Sequence, residues 1–293
     1  MMIRAKLASL APAVLAATAA AAARADSGWS ELNMPRGVTD ISRKIYDLHM
    51  TIFWVCVAIG VIVFGAMIWS LVVYRKSRGA VADVTLVHNT RVEFVWTIVP
   101  VFILVAMAVP AARTLVEIED TTRTELTIKV TGFQWGWQYD FLDDGVSYYS
   151  HLDRASNAAR ELGSGIDPNS VPFYLLNVDQ PLVVPNGIKV RLLITGADVI
   201  HSWWVKDLGV KKDAIPGFVN EAWFKVDDNW TGLLRGNCAE LCGRDHGFMP
   251  IVVDVRSKAD FAAWLKQKAA EQKGGGEKQA AAHPLAAGAA GAP

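Results

Sequence analysis

A chain of 293 residues that is 52% hydrophobic has room for one large domain, or for a membrane segment joined to a domain of ordinary size. Its 29 basic and 29 acidic residues cancel, and no run of Lys and Arg interleaved with aromatics occurs, so the electrostatic footprint of a nucleic-acid-binding protein is missing. Three cysteines, Cys56, Cys238 and Cys242, exclude a disulfide framework. The first lies inside an apolar run, which leaves two for chemistry.

The chain opens with Arg4 and Lys6, continues as an Ala/Leu-rich run from 7 to 23 and reaches Ala23-Arg24-Ala25. This pattern is expected to be a secretory signal peptide over 1–25, with a third membrane helix as the alternative. Residues 26–112 then hold an N-terminal segment and a membrane hairpin. Its first helix is expected at about 51–74, a stretch without charge and long enough to cross a hydrocarbon core of about 30 Å. The second is expected at about 94–112, where Pro100 and Pro110 suggest packing against other membrane proteins. Arg75, Lys76, Arg78 and Arg91 between the helices assign that short loop to the cytoplasm. Both outer ends are then periplasmic.

From 113 to 256 the texture changes to short β-branched or alternating stretches, at 125–141, 175–184, 189–195, 221–226 and 251–255. Turn formers such as Pro185-Asn186-Gly187 and Ile215-Pro216-Gly217 separate them. The fold class is thus mixed membrane and all-β: a two-helix hairpin followed by a sandwich or barrel. Residues 150–172, rich in Asn, Gly, Ser and Asp, read as a surface excursion with no assigned function. Residues 257–293 begin with helical spacing, KADFAAWLKQKAAEQK, and end in a low-complexity tail.

The chemistry is concentrated in Gly-Asn-Cys-Ala-Glu-Leu-Cys-Gly-Arg-Asp-His-Gly-Phe-Met-Pro, residues 236–250. It places Cys238, Cys242, His246 and Met249 within twelve residues. His201 ends a candidate strand in Val-Ile-His-Ser-Trp-Trp. A one-copper electron-transfer site uses two imidazoles, one thiolate and a weak thioether. Here there is one thiolate more, and two thiolates four residues apart can bridge two copper ions with an imidazole left for each. Three alternatives stay open at this point. Cys238 and Cys242 can form a disulfide in an oxidising compartment; a Cys2His2 zinc site fits the ligand count but leaves Met249 idle; and a single histidine on a strand is commonly structural.

The order of signal peptide, hairpin, β domain and Cys-x-Glu-x-Cys-Gly-x-x-His-x-x-Met resembles subunit 2 of the haem-copper cytochrome c oxidases over about 40–260. Gln134-Trp135-Gly136-Trp137, the stretch Asp198 to Trp203 and the stretch Lys212 to Gly217 match as well. The resemblance implies a cupredoxin-like β-barrel holding a binuclear CuA centre. Cys238 and Cys242 would bridge the coppers, His201 and His246 would bind one each, Met249 would be a weak ligand and Glu240 would offer its backbone carbonyl. The Glu240 carboxylate would help hold a magnesium ion shared with subunit 1. Trp135 would receive the electron from cytochrome c, and Glu93 would stand at the entrance of a proton path. Trp137 reads rather as a core or interface anchor.

A basic cytochrome c wants an acidic docking face. Residues 113–256 carry 20 acidic against 14 basic groups, and Asp140, Asp179 and Asp198 occupy acidic positions of the family's docking surface. Phe133 departs from the histidine often found at its position. The implied partners are oxidase subunits 1 and 3 and cytochrome c, and the implied location is a bacterial inner membrane with the C-terminal domain in the periplasm. Oxygen reduction would belong to subunit 1, since the chain lacks the multi-histidine membrane helices that haem ligation needs, and with no Cys-x-x-Cys-His it is expected to carry no c-type haem. A quinol oxidase subunit would lack the copper ligands, nitrous oxide reductase would be soluble and larger, and a tethered copper carrier would need neither the hairpin prolines nor Glu240.

Overall fold

The computed structural model describes residues 33–282 apart from 80, 82–83 and 86–87, with the side chains of the last helix described as far as Gln272. The expected signal peptide lies outside the described residues.

Two long helices come first, α1 over Asp40–Val73 and α2 over Thr90–Ile118. Their apolar windows are not buried at all against the protein. Trp54, Ile62, Leu71 and Phe102 point outward, a surface that only lipid or other membrane proteins can cover. The helix of 34 residues is about 50 Å long at 1.5 Å per residue, well beyond a hydrocarbon core of about 30 Å. The surplus is the polar stretch before Thr51, where the apolar run begins.

Those polar turns are helical because the β domain holds them. Thr39 and Ser42 close a capping box, with each side chain accepting from the other's backbone N–H (3.0 and 3.1 Å). Arg43 meets both carboxylate oxygens of Asp227 at 2.7 and 3.0 Å. Likewise α2 runs past Ala112 to Ile118, where the Glu117 carbonyl accepts from the Trp223 indole N–H at 3.2 Å, and Lys44 pairs with Glu117 across the hairpin. Pro100 and Pro110 both lie inside the continuous α2.

The remainder is a sandwich of two five-stranded sheets. One has the order β3-β2-β1-β5-β8, from Val146–Ser150, Gly136–Phe141, Leu126–Phe133, Val190–Gly196 and Asn220–Phe224. The other has the order β4-β10-β9-β6-β7, from Leu182–Pro185, Pro250–Arg256, Gly232–Cys238, His201–Val205 and Val210–Ala214. The pairs β1/β5 and β10/β4 are parallel and the others antiparallel. Strict alternation in β1 sends Leu126, Ile128 and Val130 inward. They meet Leu192, Ile194, Trp203, Phe224 and Ile251 in one core.

Between β3 and β4 runs the excursion. It carries the short helix α3 (Arg154–Ala159) and is closed at its base by the Leu152–Val178 bridge. A final helix, α4 (Lys258–Ala282), covers the end of the core by setting Phe261 and Trp264 against Phe141 and Tyr148. Its backbone continues through Gly274, where the sequence reading placed the start of the tail, into the good helix formers at 277–282.

Candidate metal centre

His201 is the first residue of β6 and Cys238 the last of the neighbouring β9. The β6/β9 register pairs Trp203 with Cys238, and the Ala239 N–H donates to the Ser202 carbonyl at 3.0 Å. Chain segments almost forty residues apart are thereby held side by side. The loop 239–249 folds back over this junction and returns to the sheet at Pro250. The Cys242 sulfur lies 3.9 Å from that of Cys238, 3.5 Å from His246 Nδ1 and 3.4 Å from the Met249 sulfur. The Glu240 carbonyl oxygen is 3.3 Å from the Cys238 sulfur. The ligand atoms of His201, Cys238 and Cys242 all lie within 4.8 Å of one another. A disulfide bond is about 2.05 Å long, so these are two separate thiols.

The two nitrogens of His201 have different surroundings. Nε2 lies 2.9 Å from Asp198 Oδ1, whereas Nδ1 is buried without a hydrogen-bond partner. A carboxylate on one nitrogen fixes the tautomer and turns the other nitrogen's lone pair toward the sulfurs, as outer partners of metal-bound histidines do. A buried ring nitrogen with no hydrogen-bond partner, beside two thiols, fits a cation held between them. The donor set of two thiols, two imidazoles and a thioether fits a soft metal such as copper.

Electrostatics divides the pair of thiols. Burial raises the Cys238 pKa, but His201 and the Ser202 and Glu240 backbone outweigh it and carry the thiol below its ordinary value. Burial, together with the charge on Cys238, pushes Cys242 up. For His201 burial favours the neutral ring, while the Cys238 sulfur and the Asp198 carboxylate outweigh it and raise the pKa.

Trp135 lies half-buried in the β1–β2 turn. Its indole N–H donates to the Cys242 carbonyl at 3.1 Å, and the Gln134 amide donates to the same oxygen at 2.9 Å. Trp137 is fully buried, with its ring 6.1 Å from that of His201 and its N–H 3.4 Å from the Met249 carbonyl. Glu240 is exposed. Asp198 serves the cluster: beyond His201 it accepts from the N–H groups of Gln134 and Val199, both at 2.7 Å. Asp140 accepts from Gln138 and Ser147, and Asp179 from the N–H groups of His151 and Gln180. Glu93 stands apart from all of these. It lies in the first turn of α2, where it accepts from the Asn89 N–H at 3.0 Å, at the opposite end of that helix from the β domain.

Gln134 and Gly132 were missed by sequence reasoning. A Cβ on Gly132 would stand 3.0 Å from Cβ, Cγ and Cδ2 of His201, so a glycine inside β1 gives the imidazole its place. A glycine within a strand pattern is the available signal for such close approach.

A hairpin of apolar, exposed helices carrying a β-sandwich with a buried thiol, imidazole and thioether cluster defines a membrane-anchored protein with a candidate metal site. Residues 126–256 match the family described as "Cytochrome C oxidase subunit II, periplasmic domain", and 27–114 match its transmembrane domain. The chain belongs to the cytochrome c oxidase subunit II family. It is 37% identical over 228 residues to a probable cytochrome c oxidase subunit 2 of Rickettsia bellii, covering 78% of this chain and 80% of that one. It is 33% identical over 268 residues to cytochrome c oxidase subunit 2 of Cereibacter sphaeroides, covering 87% and 88%. Among solved structures it is similar to the periplasmic domain of subunit II of cytochrome oxidase from Bradyrhizobium japonicum, with 39% identity, a TM-score of 0.43 and coverage of 51% of this chain and 96% of that one.

Proposed function

We propose that this chain is the electron-entry subunit of a cytochrome c oxidase in a bacterial inner membrane, with its β domain in the periplasm. It would take electrons from cytochrome c and pass them to haem centres in subunit 1, where oxygen reduction is coupled to proton translocation. The observation that carries the reading is the pair of unbonded thiols 3.9 Å apart, with His201 turned onto them by Asp198.

Cys238 and Cys242 would bridge two copper ions, His201 and His246 would each hold one, and Met249 and the Glu240 carbonyl would be weaker ligands. A bound copper pair supplies a one-electron carrier with the charge shared between the metals. The protein's share of the work is rigidity and exclusion of water. His201, Cys238, Cys242 and Met249 are all buried, and ligands held this way move little when the charge changes. Trp135 supports an entry role because one indole is both partly exposed and hydrogen-bonded to the Cys242 carbonyl. The exposed Glu240 carboxylate suits a magnesium ion shared with subunit 1, a hard cation that prefers oxygen. Asp140 and Asp179, with Asp198 at the rim of the cluster, would face cytochrome c. Subunits 1 and 3 would cover the lipid-facing hairpin, and Glu93 would admit protons at the cytoplasmic end of α2.

The test is metal analysis and electron paramagnetic resonance of the full chain in detergent after copper loading. Two coppers per chain with one unpaired electron shared between them is the expected result. One copper with a single-metal spectrum, or a Cys238–Cys242 disulfide, would overturn the reading.

A further inference from the structure

The excursion at 151–181 reaches the metal loop at two places. From the end of α3, Arg160 sets Nη1 3.2 Å from Asp245 Oδ1 and lays its guanidinium over the Phe248 ring, 4.3 Å from the centroid. Asp245 and Phe248 stand on either side of the His246-Gly247 pair, and Phe248 adjoins Met249. In the other direction Arg235 of β9, three residues before Cys238, lies 3.7 Å from the centre of the Phe173 ring in the excursion. The ligand loop is therefore gripped just before its first cysteine and around its histidine.

These contacts are built rather than incidental. The side chains of Arg160 and Asp245 are only 26% and 14% exposed, so the pair is screened less than a surface ion pair. Arg160 is itself aimed by a hydrogen bond from Nε to Asn157 Oδ1 at 2.7 Å. Helix α3 is anchored by Ser156, fully buried, whose hydroxyl accepts from the Leu175 N–H at 3.1 Å. Phe173 and Leu175 hold φ values of +53° and +62°, which non-glycine residues keep only where the surroundings fix them. At Arg160 a planar cation stacks and forms an ion pair at once, which lysine cannot reproduce.

We infer that Arg160 is a positioning residue for the metal loop: by clasping Asp245 and Phe248 it holds His246 Nδ1 and the Met249 sulfur against Cys242. The inference rests on the proposed reading of these side chains as metal ligands. It gives the excursion, which has no ligand of its own, a part in the electron carrier.

The test uses the full chain in detergent, wild type against Arg160→Ala and Arg160→Lys. In the metal-free chain, hydrogen exchange should accelerate at the amides of His246 and Phe248, which are bonded to the Gly243 and Asp245 carbonyls, and stay unchanged in the sandwich strands. In the copper-loaded chain, Arg160→Ala should lose copper to a chelator at about tenfold lower concentration, with an altered copper spectrum. Arg160→Lys should recover less than half of the loss on a logarithmic scale. Asp245→Asn combined with Arg160→Ala should be no worse than Arg160→Ala alone. Wild-type exchange, retention and spectrum in Arg160→Ala would overturn the inference, as would exchange accelerated evenly through the sandwich. Should Arg160→Ala not fold, Arg160→Lys decides by the same readouts. A wild-type chain that takes up no copper would sink the proposed function, and the metal-free exchange experiment still judges the clasp.

Discussion

On the proposed reading, His201 is a side chain prepared for a metal. Gly132 leaves room for the ring, Trp137 borders it and Asp198 takes Nε2, so the free nitrogen has a fixed direction before any ion arrives. Replacing Asp198 with alanine removes that direction and should weaken copper binding by 10- to 100-fold, the usual effect of deleting an outer partner of a metal-bound histidine. Chelator competition on the full chain measures it, and an unchanged affinity would show that Asp198 does not orient the ring. Asp198→Asn should lose less, because its one side-chain oxygen can still accept from Nε2 and the Val199 N–H, while its NH2 replaces the oxygen that accepts from the Gln134 N–H. The sequence made His201, Cys238, Cys242, His246 and Met249 legible because four of the five share one loop and their donor types name a chemistry. It did not reveal the inward role of Asp198. An acid three residues from a histidine faces it only when the connecting turn bends as it does here, and spacing alone does not say so.

At the scale of elements, the apolar cores of both helices are plain in the sequence, but their outer ends are not. The turns at Thr39–Lys44 owe their helical form to Asp227, Glu117 and the capping box, all tertiary or local pairings that hydropathy does not register. Just beyond α2, Glu221 of β8 accepts from Thr121 Oγ1 at 2.7 Å and from both Nε and Nη2 of Arg191. The Arg191 bonds, then the Thr121 bond, hold its pKa below the ordinary 4.5. The folded state therefore favours the ionised form. Its contribution is complete above the unfolded pKa and is lost as pH falls through the lower, folded one. With the side chain 38% exposed, the contribution is about 0.5 kcal/mol after solvent screening. Glu221→Gln should thus lower stability at pH 7 and match wild type below about pH 3, where carboxylates are protonated. Denaturation of the metal-free chain at the two pH values checks this, and a gap that persists in acid would exclude the ionised pair as its source. Helix α4 makes a larger contribution. Phe261, 8% exposed against Phe141 and Trp264, should cost about 3 kcal/mol on truncation to alanine. The same denaturation curves read that loss, and a change below about 0.5 kcal/mol would mean that α4 does not belong to the cooperative unit.

Across the whole molecule, formal charge is distributed unevenly although the total is zero. The β domain, residues 113–256, carries six more acidic than basic groups, while Arg75, Lys76 and Arg78 lie between the membrane helices and Arg91 in the first turn of α2. One bias would orient the chain in the membrane; the other would give the outer face a field suited to the proposed cation-rich partner. That second bias makes a prediction which depends on no single contact. The bimolecular rate of reduction by a basic cytochrome c should fall steadily as ionic strength rises from 0.01 to 0.3 M, because the screening length shrinks from about 30 Å toward a few ångströms. Asp140 is the better residue to probe. Its partners are the side chains of Gln138 and Ser147, whereas Asp179 holds two backbone N–H groups and its loss would disturb the base of the excursion. A unit charge about 10 Å away in water is worth about 0.4 kcal/mol, so Asp140→Asn should slow reduction about twofold at low salt. It should also flatten the salt dependence and leave the high-salt rate unchanged. Stopped-flow reduction of the assembled oxidase provides all three quantities. A rate that ignores salt in the wild type would remove electrostatic docking from the account, and a deficit in Asp140→Asn that survives high salt would assign that residue to a contact rather than to steering.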